Sequence, residues 1–493
     1  MSREATAAKT VVIIGGGPAG LTAAFQLSKY GVPAVVLEAD TQVGGLARTL
    51  NYKGYLFDIG GHRFFSKWDE VNQIWDQILG GKFMERPRLS RIYYTKRFFV
   101  YPLEVRNALT GLGPIESIRI LASYVKSQLR PAPKEENFEE WVSNRFGRRL
   151  YEIFFKTYTE KVWGVPCTTI RAEWAAQRIK GLTLLTAARE ALLPSKNGNV
   201  KTLVNKFRYP QRGPGQMWET LSTQLNDQGY SVRMERNVVR IRHDAGKVTC
   251  VVTDGPNGRE EFRGTDFISS MPMRDLVRAL DPEPPQDVRD AAEKLRYRDF
   301  LIVSLIVNRK YVVPDNWIYV HEPNVRVGRI QNFKNWSPAM VPDPNKTCLG
   351  MEYFVFDRDE LWSSPDSELI ELAKREIVAL GLVHAEEIED GVVVRMRKAY
   401  PMYDEGWRAH VETIRSYLEH ARNLQLVGRN GMHKYNNQDH SMMTALYAAR
   451  NVCGANYDLW AVNTEPDYHE ERKQTQSERE PAYAEPARIY GCR

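Results

Sequence analysis

The run KTVVII at Lys9–Ile14 leads into GGGPAG, then into a stretch of helical spacing at Leu21–Tyr30, then into AVVLE at Ala34–Glu38. Short β-branched runs of this kind are strands buried on both faces. A strand, a glycine turn, a helix and a second strand ending in an acid make one βαβ unit. Gly15, Gly17 and Gly20 form G-x-G-x-x-G at the turn. Glycines there allow a tight bend and bring a pyrophosphate against backbone N–H groups at the positive end of the helix. Glu38 follows Gly20 by 18 residues, where it can accept bonds from ribose hydroxyls. The motif alone is weak, since glycine-rich turns are also ordinary loops. Flanked by strand, helix and terminal acid, it predicts a bound ADP moiety.

The chain has 493 residues, enough for two to four domains at ~100–200 residues each. With 43% hydrophobic and 26% charged residues it can bury a large core, which excludes wholesale disorder. The net charge of +7 is spread along the chain instead of gathered in basic blocks, so it suits small anions better than a nucleic-acid backbone. Five scattered cysteines have no C-x-x-C spacing and no histidine pairing that would hold zinc, so no metal is expected. Met1–Lys9 has no apolar core of a secretory signal, and no run approaches the ~18 apolar residues of a membrane span. A reducing, cytoplasmic location is the expectation.

A hairpin is expected at Ile92–Val100, and Pro131–Pro133 punctuates the chain. From Asn137 to about Leu193 the pattern is helical, and Phe138, Trp141, Phe146, Leu150, Phe154 and Tyr158 form a stripe that reads mainly as bundle core. Alternation returns at Gly229–Val252, with a turn near Gly246, and Thr265–Met271 reads as a further strand followed by a helix to Leu280. Asp299–Glu352 is strand-rich. A last strand, Leu424–Val427, meets GRNG before a helix from about Asp439 to Val452. The polar end from Tyr457 reads as a loose helical or frayed tail.

Beyond Glu38, VGGLART (Val43–Thr49) and DIGGHRFFS (Asp58–Ser66) add a second set of glycines. This pattern resembles flavoproteins of the amine-oxidase and protoporphyrinogen-oxidase type, and so implies FAD instead of NAD. On that resemblance Gly45, Leu46, Gly60 and Gly61 join Gly15, Gly17, Gly20 and Glu38 as cofactor-binding residues. So do Arg429, Gln438 and Met442, around a capped helix whose N-terminus can stabilise negative charge on the reduced ring.

Five segments together resemble UDP-galactopyranose mutases, especially their eukaryotic-type branch: DIGGHRFFS, YTEKVWGVP (Tyr158–Pro166), AEWAAQR (Ala172–Arg178), FRYPQRGPG (Phe207–Gly215) and GRNGMHKYNNQDHSMMTA (Gly428–Ala445). The resemblance covers nearly the whole chain. It implies an α/β architecture in which a Rossmann-like FAD-binding domain (1–105, 201–295 and 413–465) carries a helical substrate-binding insertion (106–200). An antiparallel-sheet substrate domain (296–412) and a polar tail (466–493) complete it. It also implies a flavin used without net redox turnover, reduced by NADPH or NADH. N5 of the reduced ring then forms an adduct with the anomeric carbon of a nucleotide sugar and expels the diphosphate.

A departing nucleoside diphosphate carries about two negative charges, which guanidinium forks match better than ammonium groups do. The resemblance puts Arg178 and Arg329 at the two diphosphate-binding positions. It puts Tyr319, Tyr400, Tyr435, Asn437, Trp163 and Glu104 around the substrate, and His62 on a loop that responds to the flavin's redox state. Glu104 replaces a family glutamine beside the base, Thr159 an asparagine and Trp336 a tyrosine, which weakens the case for uracil and for galactose in particular. Two other readings remain open on the same scaffold. One is a true oxidoreductase of the amine oxidase, desaturase or protoporphyrinogen oxidase type, with an apolar channel. The other is a flavin or nucleotide sensor.

Overall fold

The computed structural model describes residues 9–172, 201–203, 206–464 and 471–473. Val11–Ile14 is the central strand of a five-stranded, wholly parallel sheet. Ala34–Leu37 and then Ser231–Arg233 lie to one side; Asp266–Ser269 and then Leu424–Leu426 lie to the other. All four residues of the central strand are buried, which is why its sequence is unbroken by polar residues. Helix Pro18–Lys29 opens directly after it, with proline in the first turn where the missing N–H costs nothing. It packs against the last long helix, Gln438–Val452, so the two glycine-bearing turns at opposite ends of the sequence meet at one sheet edge. An antiparallel meander, Asn237–Asp244, Lys247–Gly255 and Gly258–Arg263, lies beside this layer.

The second layer is a seven-stranded sheet. Its order is Ile388–Pro401, Tyr297–Val307, Thr347–Val355, Arg329–Asn332, Trp317–Val320, Ser90–Tyr94 and Arg97–Val100. It is antiparallel as expected except at one junction, where Trp317–Val320 runs parallel to Ser90–Tyr94. That pair joins strands more than 200 residues apart, so no tight hairpin dictates its direction. Tyr297–Val307 is buried on both faces. Leu301, Val303 and Leu305 meet Leu369, Ala373 and Ile377 of helix Asp366–Ala379, while Phe300, Ile302 and Ile306 meet Phe57, Phe333 and Trp336.

Helices Val105–Leu112, Pro114–Leu129, Phe138–Phe146 and Arg148–Tyr151 form the insertion, followed by a wider turn at Glu152–Lys156 and helix Thr157–Trp163. Phe138, Trp141, Phe146, Leu150 and Phe154 share one apolar cluster. Tyr158 leaves that stripe and lines a cleft instead. Helices expected beyond Ala172, and Arg178 with them, lie outside the described residues. Of the tail, Glu471–Lys473 is a strand paired with Lys201–Leu203, not the helix expected there. Among the described residues no helix is long and apolar enough to cross a membrane.

Two buried cations join the insertion to the sheet. Lys161 Nζ donates to the carbonyls of Val320, Glu322 (2.6 Å) and Val327 (3.0 Å). Arg298 donates to those of Lys161, Val162 and Phe354. Burial pulls Lys161 down to about 8 and Arg298 to about 10, and the carbonyl cages hold both.

Candidate active site

A cavity of about 2130 Å³ runs along the C-terminal edge of the parallel sheet and on beneath the seven-stranded sheet. That is roughly twice the ~300–1,000 Å³ of a typical small-ligand pocket, which leaves room for an extended dinucleotide and a second ligand. Its walls include Gly15, Gly17, Glu38, Gly45, Leu46, Gly60, Gly61, His62, Trp163, Tyr319, Arg329, Tyr400, Arg429, Tyr435, Asn437 and Gln438. The fold therefore brings together sixteen of the twenty positions singled out from the sequence.

The other four divide by cause. Arg178 lies outside the described residues. Gly20 is one turn into its helix and its absent side chain serves packing, since a Cβ there would collide with the carbonyl oxygen of Gly15. Met442 is wholly buried beneath the cavity, where its sulfur accepts from Trp75 Nε1 (3.2 Å). Glu104 is exposed at the start of helix Val105–Leu112 and is absent from the walls; Tyr101, three residues earlier, lines them.

At the dinucleotide end, helix Pro18–Lys29 has no side-chain cap, so its first-turn N–H groups remain open to an anion. Glu38 Oε2 accepts from Gly16 N (2.6 Å) and Oε1 from Asp40 N (2.9 Å), which fixes a carboxylate with further acceptor sites at the tip of its strand. Uncapped helix and fixed carboxylate form a donor and acceptor set that fits the pyrophosphate and ribose of FAD.

At the other end, guanidinium groups and phenols converge. Arg329 stands directly opposite Glu352 in the sheet register, and its Nε donates to Glu352 Oε2. Glu352 Oε1 accepts from Gln331 Nε2 (3.0 Å), and Gln331 Oε1 accepts from Trp336 Nε1 (2.9 Å). This buried chain occupies one edge of the guanidinium and leaves the two terminal amino groups for the cleft. Burial works against the Arg329 charge, but the Glu352 carboxylate outweighs it and holds the group charged more firmly than usual. Tyr158, Tyr319 and Tyr400 stand close enough to feel that charge. Burial pushes the Tyr400 phenol up to about 12 and the Tyr158 phenol well above its ordinary value, so both are hydroxyl donors at neutral pH.

Rings hold these groups in place. Tyr319 lies 4.6 Å from Tyr101 and meets Tyr158 edge-on at 5.3 Å, and Tyr158 stacks on His321 at 5.1 Å. Tyr400 stacks on Tyr435 at 5.8 Å, with Arg429 4.7 Å above the Tyr435 ring. Arg429 also donates to the carbonyls of Asn436 (2.8 Å) and Ala399 (3.0 Å). Asn437 caps helix Gln438–Val452, and its N–H donates to His440 Nδ1 (3.1 Å). Gln438 Nε2 donates to the His62 carbonyl (3.2 Å), tying the Gly60–Ser66 loop to that helix.

His62 Nε2 lies 2.6 Å from the Ile59 carbonyl, which can only accept, so Nε2 carries the proton and Nδ1 is the acceptor. Burial, with Arg429, Arg329 and Arg63 nearby, pulls the ring down to about 3. His62 is a neutral imidazole among guanidinium groups. Sequence reasoning passed over Glu352 and Gln331, because only the pairing of Arg329–Asn332 with Thr347–Val355 reveals them. Tyr158 was legible as part of YTEKVWGVP but was assigned to the bundle core.

The fold closely resembles that of a crystal structure of reduced UDP-galactopyranose mutase: TM-score 0.79, 26% identity, 93% of this chain and 98% of that one. Protoporphyrinogen oxidase 2 of Arabidopsis thaliana is 27% identical over 174 residues, 31% of this chain and 32% of its own length. A 1-hydroxycarotenoid 3,4-desaturase of Flavobacterium sp. (strain P99-3) is 22% identical over 265 residues, 50% of this chain and 54% of its own. The chain thus spans about a third to a half of the length of these curated relatives. The family model for flavin containing amine oxidoreductases matches residues 18–453, glycine turn to last helix. With a mixed α/β fold and a dinucleotide cleft of that kind, the chain belongs to the flavin containing amine oxidoreductase family, whose cofactor is FAD.

Proposed function

We propose that this chain is a sugar-nucleotide mutase that interconverts the pyranose and furanose forms of an NDP-sugar resembling UDP-galactose. The carrying observation is the lining of the inner cleft. Arg329 and Arg429, a neutral His62 and the hydroxyls of Tyr158, Tyr319, Tyr400 and Tyr435 occupy the space that an apolar substrate would need to be greasy. The fold shared with a UDP-galactopyranose mutase over nearly the full length supports the same reading.

When bound and reduced, FAD supplies the nucleophilic nitrogen for the anomeric carbon, with a nicotinamide dinucleotide as the source of electrons. The residues of this chain manage charge. As the anomeric C–O bond breaks, its electron pair stays on the diphosphate oxygen. The free amino groups of Arg329, with the Tyr319, Tyr400 and Tyr435 hydroxyls, hold that anion in place. Return of the same oxygen after the sugar ring has opened and reclosed completes an isomerisation with no net change in oxidation state. Gln438 and the Ile59 carbonyl fix the His62 loop against the cofactor side of the cleft.

The test is anaerobic incubation of the dithionite-reduced holoenzyme with UDP-galactose and other NDP-sugars, with chromatographic separation of the ring forms. Interconversion that stops on reoxidation is the expected result. Oxygen uptake stoichiometric with an amine, porphyrinogen or carotenoid substrate, and no ring interconversion with any NDP-sugar, would favour an oxidoreductase and overturn the reading.

A further inference from the structure

Of the nine large hydrophobic side chains left exposed among the described residues, five lie on the helix Pro114–Leu129. Ile115, Ile118, Leu121, Val125 and Leu129 are between 47% and 77% exposed. A bare patch of this kind, in the range of ~300–600 Å², is the size that marks an interaction site on a monomer. The helix cannot rotate to hide it. Its inner face is fixed by buried Ile120, by Glu116 bonded to Arg149, and by Ser123 Oγ accepting from Arg149 N (3.0 Å).

The spacing identifies the occupant. Ile115, Ile118, Ala122, Val125 and Leu129 follow one another at alternating steps of three and four, the a and d positions of two heptads. A narrow seam of that kind is filled by another helix, whereas a helix lying in a bilayer surface presents a broad apolar face. Alternating steps also read nearly the same in either direction, and the smallest side chain, Ala122, is at the midpoint. A patch that complements its own reversed copy is what a two-fold contact requires.

We propose that Pro114–Leu129 is the contact between two copies of this chain, packed antiparallel across a two-fold axis at Ala122. The proposal is independent of the reaction assigned above. Charge gives it a signature. Arg119 and Lys126 flank the seam on one edge, so pairing sets Arg119 beside the partner's Lys126. Salt screens that repulsion and strengthens the contact, whereas attachment to an anionic surface weakens with salt.

Sedimentation velocity on the full-length, flavin-loaded protein tests the idea at low and high sodium chloride. The expected result is a dimer at least as tight in high salt. The double variant Ile118→Asp, Val125→Asp should be a monomer with unchanged flavin content and melting temperature. Mild oxidation of Ala122→Cys should give a covalent dimer on a non-reducing gel, a result that does not depend on how the double variant folds. A wild type monomeric at all concentrations would overturn the proposal. So would a dimer that the double variant leaves intact. Co-sedimentation with phosphatidylcholine–phosphatidylglycerol vesicles, lost in the double variant of a monomeric protein, would assign the face to lipid instead.

Discussion

Arg329 shows how much of this site depends on orientation as well as charge. Glu352 takes one edge of the guanidinium and Gln331 and Trp336 brace the carboxylate, so the open edge of the fork points one way. Lysine would keep the charge and lose the planar fork. Arg329→Lys is expected to weaken UDP binding to the reduced holoenzyme on the order of 100-fold, or ~2.8 kcal/mol, with the flavin spectrum unchanged. Isothermal titration reads this directly, and a variant that binds UDP as tightly as wild type would remove Arg329 from the anion site. The sequence named Arg329 only through a motif. It had no means of naming Glu352, because 23 residues of chain separate the two and only sheet register sets them face to face.

At the scale of elements, helix Thr157–Trp163 carries Tyr158 and Trp163 into the cleft, and Arg298 anchors its end. Gly164 terminates that helix at φ +68, and a Cβ there would collide with the Arg298 guanidinium. Arg298→Met leaves the carbonyls of Lys161, Val162 and Phe354 without this donor. It should cost about 2–4 kcal/mol in a urea melt. A second element-level test concerns the strand pair Thr49–Tyr52 and Tyr55–Asp58. Asp58 accepts from Tyr209 and from Thr49 Oγ1 (2.8 Å), and burial raises its carboxyl to about 7 despite those bonds. A carboxyl raised in the fold stabilises it fully below the unfolded value near 4, and the contribution is lost as pH rises through 7. Wild type should therefore lose stability relative to Asp58→Asn between pH 4 and 7, by on the order of 4 kcal/mol, and run parallel to it at higher pH. Paired denaturant melts across that window check the sign, and parallel curves throughout would contradict it.

Across the whole molecule, one cavity is walled by the parallel sheet, the helical insertion and the seven-stranded sheet together. A ligand in it cross-links parts that the chain itself joins only by long connections. FAD should accordingly raise the stability of all three, by about 4 kcal/mol at a free concentration a thousandfold above its Kd. Thermal melts of deflavinated protein against added FAD measure this. A single cooperative transition moving upward is expected, and a midpoint indifferent to FAD would contradict a cofactor site spanning the cleft.

The N-terminal βαβ unit, the hairpin at 92–100 and the last helix were legible from sequence because each is governed by local rules: burial period, turn chemistry and capping. The family followed from motifs whose glycines and acids must contact a dinucleotide, and those contacts restrict residue type at fixed spacing. What only the tertiary structure decided is which distant segments become neighbours. It set Glu104 outside the cleft and Tyr101 within it, moved Tyr158 from bundle core to cavity wall, and gave Arg329 its carboxylate partner. The physical reason is that side-chain direction at a sheet or helix surface depends on register and packing across hundreds of residues, and one position of slip would turn each of these groups to the opposite face.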